Sequence, residues 1–359
     1  MSKNVFITGL TGFLGRFLAR ELLDKGCHVY GLARGNKNGT AAQRVEAALK
    51  FAYDQDWRDG LMQSVTVIEG DITRTDLGMS DRAVQKEVVR SMDLIVHSAA
   101  LAELNWDYDY ISPINVDGTR CVCDFARACF ENGRLRHLHH VSTMYIAGDK
   151  PCIFDEACFD EGQGFHNTYE QTKFEAERIV RGYQKKYGLP VSIHRPSMIM
   201  GESLHGRTPN FNLIYQPLHF FSKEIYSVFP ANLESGQNLI HMDRVAKAMS
   251  VLLNQEEERV YHLISPNDVS IKLFVDSAAT FFDFHQPRCI PSEYFDFSQL
   301  TAVQRSLCEP YVSYFNYKIK FDASKTFETL KGLSCQMLEV TRENLNKVYQ
   351  YCRQSGFIK

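Results

Sequence analysis

Two side chains four residues apart, Tyr169 and Lys173, could carry out proton chemistry. The surrounding segment has helical spacing, so both side chains should lie on one face of a helix. A neighbouring ammonium is expected to lower the pKa of the phenol and to make it a general acid near neutral pH. Upstream, Ser142 and Thr143 end an apolar, strand-like run, and their hydroxyls could join the pair.

A second Tyr-x-x-x-Lys pair, Tyr314 and Lys318, occurs much later in the chain. This pair follows no strand that ends in hydroxyl side chains, and it lies far outside the alternating strand and helix patterns. We interpret it as a chance match. A Tyr314→Phe substitution is therefore expected to be close to silent.

The elements that must position Tyr169 and Lys173 begin with a glycine-rich turn near the N-terminus. An apolar run at residues 5–7 is followed by the spacing T-G-x-x-G-x-x-G and then by a helical pattern. A glycine-rich turn between a strand and a helix lets the backbone approach a pyrophosphate, and the helix start offers free N–H groups to it. The predicted dinucleotide-binding turn consists of Thr8, Gly9, Thr11, Gly12, Phe13, Leu14 and Gly15.

The next strand indicates which dinucleotide is bound. It ends at Arg34 with no acidic residue nearby, and Arg44 follows a short distance later. An acidic residue at this place suits the ribose hydroxyls of NAD, whereas arginine suits the 2′-phosphate of NADP. We therefore predict NADPH as the cofactor.

Alternating strand and helix patterns through about residue 200 predict an α/β fold, a doubly wound parallel sheet of the Rossmann type. Cofactors bind at the carboxyl edge of such sheets. The predicted strands after the first are residues 27–34, 65–72, 92–100, 135–143 and 191–201, and residues 238–253 and 259–264 should return to the sheet. The further predicted cofactor contacts are Asp71, Ile72, Ala99, Ala100, Asn115, Tyr169, Lys173, Pro196, Ser197 and Met198.

Composition excludes several classes of function. The chain has 359 residues, of which 44% are hydrophobic, and a formal net charge of −3. This balance gives no support to nucleic-acid binding. No apolar run approaches the roughly 20 residues of a membrane span. The 10 cysteines have no metal-binding spacing, so we predict reduced thiols, no metal site and a cytoplasmic location.

Taken together, these motifs resemble the extended short-chain dehydrogenase/reductase superfamily. Within it, the chain looks like the thioester-reductase and fatty-acyl-CoA-reductase branch, the male-sterility type, through LNWDYDYISPINVDGTR, HVSTMYIAG, YEQTKFEAE, GLPVSIHRPSMIMGES and HMDRVAKAM. The resemblance covers about residues 1–265. It implies NADPH-dependent reduction of acyl thioesters to aldehydes or alcohols, with Thr143, Tyr169 and Lys173 as the catalytic residues and Arg34 as the 2′-phosphate contact.

The resemblance also implies a substrate carried by coenzyme A or by an acyl or peptidyl carrier protein. The printed sequence contains no adenylation domain and no carrier-protein serine motif. We therefore expect a stand-alone reductase that meets any carrier protein in trans.

Three alternatives stay open. The first is an NADPH-dependent reductase of a small ketone or aldehyde, like the dihydroflavonol-reductase branch, which would use the same residues. The second is a sugar-nucleotide epimerase or dehydratase, although such enzymes usually retain NAD. The third is a non-catalytic NADPH-binding protein, which would have no need of a proton donor.

The remaining sequence predicts a smaller C-terminal lobe that binds the substrate. We assign residues 1–200 and 236–265 to the nucleotide-binding domain, and residues 201–235 and 266–359 to the lobe. The segment 201–235 is rich in aromatic residues, and we expect those at positions 211, 215, 220 and 221 to face the nicotinamide side of the cleft.

Overall fold

A computed structural model describes residues 3–150 and 152–359 of the chain. The alternation of β and α patterns in the sequence is reproduced by the elements of the structure. The strands are β1 (Asn4–Thr8), β2 (His28–Ala33), β3 (Val65–Glu69), β4 (Leu94–His97), β5 (His137–Val141), β6 (Ile153–Phe154), β7 (Val191–Pro196), β8 (Met198–Met200), β9 (Val228–Pro230), β10 (Gly236–Gln237), β11 (Leu239–His241), β12 (Val260–Leu263), β13 (Val269–Ser270), β14 (Arg288–Ile290) and β15 (Lys320–Phe321).

The helices fill the intervals between these strands and the C-terminal part of the chain. They are α1 (Gly15–Asp24), α2 (Ala41–Tyr53), α3 (Arg82–Ser91), α4 (Tyr108–Ser112), α5 (Gly118–Asn132), α6 (Thr168–Tyr187), α7 (Tyr215–Ser222), α8 (Met242–Leu252), α9 (Ile271–Phe282), α10 (Ala302–Val312), α11 (Ser324–Gly332) and α12 (Arg342–Gln354). Within the described ranges, none of these helices is both long and apolar enough to cross a membrane.

The central sheet has seven strands in the order β12-β7-β5-β4-β1-β2-β3. Each neighbouring pair is parallel. The strand order reverses between β1 and β4, and this is the place where a parallel α/β sheet opens a crevice at its carboxyl edge. The predicted doubly wound sheet is confirmed.

Alternate side chains of the buried strands supply the two faces of the sheet. Val5 and Ile7 of β1 pack with α1, α2 and α8 on one face. Phe6 of the same strand packs with α3, α5 and α6 on the other. Near-continuous burial along the strands is the pattern expected for a sheet covered by helices on both faces.

A third apolar cluster forms the core of the C-terminal lobe, with residues from α7, α9 and α12. It also includes residues 144–147, Phe154 and Phe174, which precede residue 200. The division of the chain at residues 200, 235 and 265 stays a prediction, because the two parts share this core.

One predicted strand does not return to the main sheet. Residues 239–241 form β11, which pairs in parallel with β8 in a separate two-stranded sheet. The predicted strand at residues 259–264 does join the main sheet, as its edge strand β12. The predicted strand at residues 191–201 divides into β7 and β8, and only β7 belongs to the main sheet.

Candidate active site

The glycine-rich turn between β1 and α1 leaves no room for side chains. Gly9 has φ of +75° and an added Cβ would lie 2.6 Å from the Ala99 nitrogen, while one on Gly15 would lie 2.2 Å from the Gly9 carbonyl oxygen. The turn is closed by a 2.9 Å bond from Gly12 N–H to the Gly9 carbonyl. The backbone can therefore approach a ligand closely at the start of α1, as a pyrophosphate requires.

Arg16 supports the backbone of this turn, a role that sequence reasoning missed. Its Nη2 donates to the Thr11 carbonyl at 2.6 Å and its Nε to the Gly12 carbonyl at 2.8 Å. Burial lowers the pKa of this guanidinium to about 10. By binding the carbonyls, Arg16 holds the turn in place without filling the cleft.

An open cleft runs along the carboxyl edge of the sheet, with a free volume of about 340 Å³. It is where the structure brings most of the predicted site residues together. Those that line it are Gly9, Thr11, Gly12, Phe13, Leu14, Arg34, Arg44, Asp71, Ile72, Ala99, Ala100, Tyr169, Lys173 and Pro196. The wall also contains Ser142, whose hydroxyl the sequence placed near the pair, and residues that were not predicted, among them Leu32, Gly70, Thr73, Ser98 and Ile114.

Two predicted cofactor contacts lie behind the wall of the cleft. Asn115 is 1% exposed and binds the Leu101 N–H at 2.8 Å and the Leu101 carbonyl at 3.0 Å. Thr8 is buried, with its hydroxyl 2.8 Å from His97 Nδ1 and accepting from the Ala99 N–H at 3.3 Å. Both residues shape the loop after β4, and their polar atoms are used there.

Ser197 and Met198 also do not line the cleft. Ser197 is buried, and among the described residues its hydroxyl has no hydrogen-bond partner. Met198 faces an apolar cavity in the lobe, because side chains alternate between the two faces of a strand. The prediction that Met198 contacts the cofactor is therefore not supported by its orientation.

Arg34 and Arg44 border the cleft beyond the end of β2. Arg34 Nη1 lies 3.2 Å from Asp71 Oδ2, and Arg44 donates to the Arg34 carbonyl. Arg34 keeps 61% of its side chain exposed. The two guanidiniums thus form a cationic corner of the cleft, and Asp71 orients one of them.

Tyr169 and Lys173 meet at the other end of the cleft, in the first turns of α6. Asn167 caps this helix by accepting from the Glu170 N–H at 3.0 Å. Lys173 Nζ donates to the Val141 carbonyl at 2.7 Å, which ties the helix to the end of β5. Thr143 is 3% exposed, and its hydroxyl is close enough to the Tyr169 phenol to lower the pKa of that phenol. The three predicted catalytic side chains are therefore neighbours.

The pKa of Tyr169 differs from the expectation. Burial raises it to about 12, the hydrogen bond from Thr143 lowers it, and the negative charge of Glu170 raises it. The prediction that Lys173 lowers this pKa is wrong, because desolvation dominates and the charge that acts on the phenol is that of Glu170. The phenol is protonated at neutral pH and can donate a proton.

The pKa of Lys173 is lowered to about 8 by burial, against the opposing charge of Glu177. Glu177 lies one helical turn further along α6 and is fully buried. Arg195 of β7, also fully buried, donates to Glu177 Oε1 at 2.6 Å through Nη2 and to Oε2 at 3.1 Å through Nε. This bidentate pair holds the helix that carries Tyr169 and Lys173 against the sheet.

The same network reaches the C-terminal lobe. Arg195 Nη1 lies 3.1 Å from His262 Nε2, and His262 Nδ1 lies 2.6 Å from the Asp322 carbonyl. Sequence reasoning missed Glu177 and Arg195. The available signal was an arginine inside the otherwise apolar strand VSIHRP, since a buried charge requires a partner.

Tyr314 is not the remote residue that the sequence suggested. Its hydroxyl donates to Glu170 Oε1 at 2.8 Å and accepts from Asn167 Nδ2 at 2.8 Å. It therefore supports the first turn of α6 next to Tyr169. Its sequence partner Lys318 points elsewhere and binds Glu293 at 2.8 Å. These contacts lead us to expect a measurable effect of Tyr314→Phe instead of a silent one.

We predict that Tyr314→Phe lowers the free energy of unfolding by about 1–3 kcal/mol, because the buried Glu170 carboxylate loses a donor. Urea denaturation followed by tryptophan fluorescence measures the change. Tyr294→Phe is the matched control, since Tyr294 is 76% exposed. A loss no larger than that of the control would contradict the assigned role.

The aromatic residues of segment 201–235 mostly face away from the cleft. Phe211 stacks on Phe357 with ring centroids 4.3 Å apart. The Tyr215 hydroxyl accepts from the Gly201 N–H at 2.8 Å, and Phe221 packs edge-on against Phe229. The prediction that these side chains face the nicotinamide is wrong for Phe211, Tyr215 and Phe221, because they pack in the lobe core. Phe220 alone of the four predicted positions borders a cavity among those described.

Two connected cavities lie on the side of the lobe, and one of them adjoins the cleft. The first, which we call the polar groove, has a free volume of about 300 Å³, and its polar wall residues include Glu103, Asn105, Asn212, Gln216 and Ser306. The groove and the cleft share Ala102. Asn212 Nδ2 donates to Glu103 Oε1 at 3.2 Å across the groove.

The second cavity, which we call the apolar slot, continues from the polar groove. The two share Leu104, Leu213 and Tyr311. The other residues of the slot are Met198, Ile214, Pro217, Gln237, Leu239, Val269, Ile271, Phe274, Tyr314 and Phe315. Within the described residues, no group of three or more His, Cys, Asp or Glu side chains could hold a metal ion.

The seven-stranded parallel sheet, the glycine-rich turn and the Tyr169–Lys173 pair together define an oxidoreductase of the extended short-chain dehydrogenase/reductase type. The family model described as "Male sterility protein" matches residues 7–249. The chain belongs to this family.

Within the aligned segments, two curated relatives are 25% and 29% identical to this chain. It is 29% identical over 293 residues to Glycine betaine reductase ATRR of Emericella nidulans, covering 78% of this chain and 22% of the relative. It is 25% identical over 314 residues to Fatty acyl-CoA reductase 8 of Arabidopsis thaliana, covering 69% and 62%. The chain thus spans about a fifth of the first relative's length and three fifths of the second's.

A solved structure has the same fold. The terminal R domain from the myxalamid PKS-NRPS biosynthetic pathway superposes with a TM-score of 0.82 at 24% identity, covering 100% of this chain and 92% of that one. At this level of identity the likeness concerns the fold.

Proposed function

We propose that this protein is an NADPH-dependent reductase of acyl thioesters that accepts its substrate in trans, from coenzyme A or a carrier protein. The observation that carries the proposal is the position of Tyr169, which lies in the cleft wall beside the Thr143 hydroxyl. The polar groove adjoins this cleft and leads into the apolar slot. The names of the relatives, an acyl-CoA reductase among them, support the same class of substrate.

The cofactor is proposed from the shape and charge of the cleft. The side-chain-free surface at Gly9 and Gly12 suits a pyrophosphate, and the cationic corner of Arg34 and Arg44 suits a 2′-phosphate. When bound, NADPH supplies the hydride. Lys173 would hold the nicotinamide ribose, and Asp71 orients Arg34 toward the phosphate.

We predict that Arg34→Ala weakens NADPH binding about ten- to a hundredfold and leaves NADH binding nearly unchanged. Only NADPH carries the phosphate that the guanidinium can bind, and a charge-assisted hydrogen bond contributes roughly 1.5–3 kcal/mol. Fluorescence titration of both cofactors measures the effect. Lys37→Ala is the control, because Lys37 lies in the same basic segment but does not line the cleft. Equal losses for both cofactors would contradict the assignment.

The protein's part in the reaction is to bind and protonate the carbonyl oxygen. Hydride adds to the thioester carbon while the Tyr169 hydroxyl gives its proton to the oxygen, which Thr143 also hydrogen-bonds. The resulting hemithioacetal breaks its C–S bond, and the proton of its hydroxyl passes to the leaving sulfur. The products are an aldehyde, a thiol and the oxidised cofactor. A second hydride and proton would convert the aldehyde to an alcohol.

We predict that turnover falls as pH rises through about 8, where the Lys173 ammonium loses its proton. The ammonium is the form that can donate hydrogen bonds to a ribose hydroxyl. Because the Glu177 charge raises this pKa, a Glu177→Gln variant should lose activity at a lower pH than the wild type. The kcat/KM profile against pH measures both effects, and a wild-type profile that stays level far above this pH would contradict the assignment.

One observation favours a second candidate, a reductase of small ketones or aldehydes. The apolar slot has a free volume of only about 30 Å³ for water-sized molecules, and three of the four predicted aromatic residues border none of the cavities described for this chain. A pocket that remains this narrow would suit a small substrate. The same catalytic residues would serve that reaction.

NADPH oxidation against matched panels separates these candidates. The panels are acyl-CoA and acyl-pantetheine thioesters, the corresponding aldehydes, and small ketones. We expect NADPH oxidation with thioesters and release of one thiol for each thioester consumed. Activity with ketones and none with thioesters would replace the proposal by the second candidate.

We also propose a cytoplasmic location, since all ten cysteines are unpaired.

A further inference from the structure

The polar groove contains a single charged side chain, the carboxylate of Glu103. Asn212 Nδ2 donates to Glu103 Oε1 at 3.2 Å. Burial raises the pKa of this carboxyl, the bond from Asn212 opposes the rise, and within the described part of the chain no cationic side chain contributes. A partly buried carboxylate without a cation costs free energy. A cationic ligand in the groove would supply the counter-charge.

The surroundings of the groove are also acidic. Residues 101–119 contain no lysine, arginine or histidine, and they include Asp107 and Asp109 as well as Glu103. Arg305 belongs to α10, the helix that supplies one wall, but its Nη2 donates to the Phe297 carbonyl at 2.7 Å and it does not line the groove. The potential in the groove therefore favours a positive charge.

Three aromatic rings line the same groove. Phe220 of α7 and Tyr311 of α10 meet edge to face, with ring centroids 6.2 Å apart. Trp106 belongs to the loop that carries Glu103 and is 38% exposed. The charge of Glu103 is close enough to add to the rise that burial causes in the pKa of Tyr311. Aromatic faces beside a carboxylate are the arrangement that binds ammonium and quaternary ammonium groups.

The groove lies beside the catalytic tyrosine. Ala102 lines both the groove and the cleft that contains Tyr169. At the other end of the loop, the Trp106 carbonyl accepts from the Thr168 hydroxyl at 2.6 Å, and Thr168 directly precedes Tyr169. The groove has a free volume of about 300 Å³. An acyl group whose carbonyl lies at Tyr169 can therefore place its far end in the groove.

We propose that the polar groove binds the positively charged end of an acyl group, an ammonium or a quaternary ammonium, and that Glu103 and Trp106 make the protein select such substrates. This inference rests on the proposed thioester reduction and specifies the substrate class. The pantetheine arm is the other occupant to consider, but its amides are neutral and would not provide the counter-charge for Glu103.

Two acyl-pantetheine thioesters of the same shape test the proposal in the full-length protein. One ends in a trimethylammonium group and the other in a tert-butyl group. Several methylene groups separate each end from the carbonyl, so that the charge does not activate the carbonyl by induction. We expect kcat/KM to be about ten- to a hundredfold higher for the cationic thioester. Added salt should reduce this preference, because the groove is open to solvent.

Two variants remove the proposed contacts one at a time. Glu103→Gln keeps the size of the side chain and an oxygen for Asn212, so the preference should fall about tenfold while kcat/KM for the neutral thioester stays unchanged. Trp106→Leu removes the ring and keeps the carbonyl that binds Thr168, so the preference should fall about threefold or more. Glu309→Gln is the control, since Glu309 is exposed on α10 and does not line the groove.

A binding measurement examines the groove without the reaction. The chain has two tryptophans, so a Trp57→Phe variant leaves Trp106 as the only fluorescent indole. Choline and its uncharged isostere 3,3-dimethylbutanol are the probes. We expect choline to change the Trp106 fluorescence in a saturable way and the isostere to have little effect. The response to choline should be lost when Glu103→Gln is added.

The outcomes separate this inference from the proposed function. Equal kcat/KM for the two thioesters, or a preference that Glu103→Gln leaves unchanged, overturns the inference and leaves thioester reduction standing. An equal loss for both thioesters in Glu103→Gln would assign the groove to the pantetheine arm and also overturns it. If no thioester is reduced while choline binds through Glu103, thioester reduction is overturned and the cation site stands. A preference that falls in both variants, with the control unchanged, supports the inference.

Discussion

Replacing Tyr169 by phenylalanine should lower turnover about 10²- to 10⁴-fold, the usual contribution of a positioned general acid. The substitution removes the phenol hydroxyl and leaves the ring, so the affinity for NADPH should change little. Burial keeps the phenol protonated, with a pKa of about 12, and Thr143 lowers that pKa in part. Steady-state kinetics with the best thioester, together with a cofactor titration, measure the two quantities.

The control for this substitution is Tyr294→Phe, because Tyr294 is 76% exposed and lies outside the cleft. Tyr314→Phe is unsuitable, since its hydroxyl supports Glu170 next to the catalytic tyrosine. Turnover near the wild-type value in Tyr169→Phe would remove Tyr169 from the mechanism. A fall in turnover accompanied by an equal loss of NADPH affinity would instead indicate a binding role.

Replacing Arg195 by methionine should lower the free energy of unfolding by about 3 kcal/mol or more. The substitution leaves the Glu177 carboxylate buried with one bonded partner fewer, and removing one member of a buried ion pair costs about 3–5 kcal/mol. Both side chains are 0% exposed in the native structure. Arg181, 2.9 Å from Glu177 Oε1 and 29% exposed, offsets part of this loss. Urea denaturation measures the change.

The double variant Glu177→Leu, Arg195→Met shows whether the loss of stability comes from the unpaired charge or from lost packing. Removing both charges eliminates the uncompensated carboxylate, so stability should recover toward the wild-type value. Lys173 should still lose its proton at a lower pH, because the nearby negative charge is gone. If the single Arg195→Met variant loses less than about 1 kcal/mol, the pair does not hold helix α6 as described.

The parts of the fold that depend on local pattern could be predicted from the sequence. The strand, glycine turn and helix at residues 4–24 are specified within one short segment, and the apolar run and Gly9 are sufficient to recognise them. The pairing of Tyr169 with Lys173 likewise needs only helical spacing. These features are local, so a single sequence contains them.

Features that depend on distant segments could not be predicted. The pairing of Glu177 with Arg195 requires α6 to pack beneath β7, and the role of Tyr314 requires the C-terminal lobe to close on the start of α6. The aromatic composition of residues 201–235 does not indicate which of these side chains face the cleft and which pack in the lobe core. The pKa of Tyr169 depends mainly on burial, which cannot be read from the spacing of Tyr169 and Lys173 in the sequence.

The central claim is that hydride reaches a thioester carbon while Tyr169 protonates its oxygen. A single-turnover reaction with NADPH carrying deuterium at the transferred position tests it most directly, using an acyl-pantetheine thioester and mass spectrometry of the products. We predict one free thiol for each acyl group reduced, and deuterium on the carbon that was the thioester carbonyl. Both signals should be lost in Tyr169→Phe. Oxidation of the cofactor without thiol release, or deuterium at any position other than the former thioester carbonyl carbon, would contradict it.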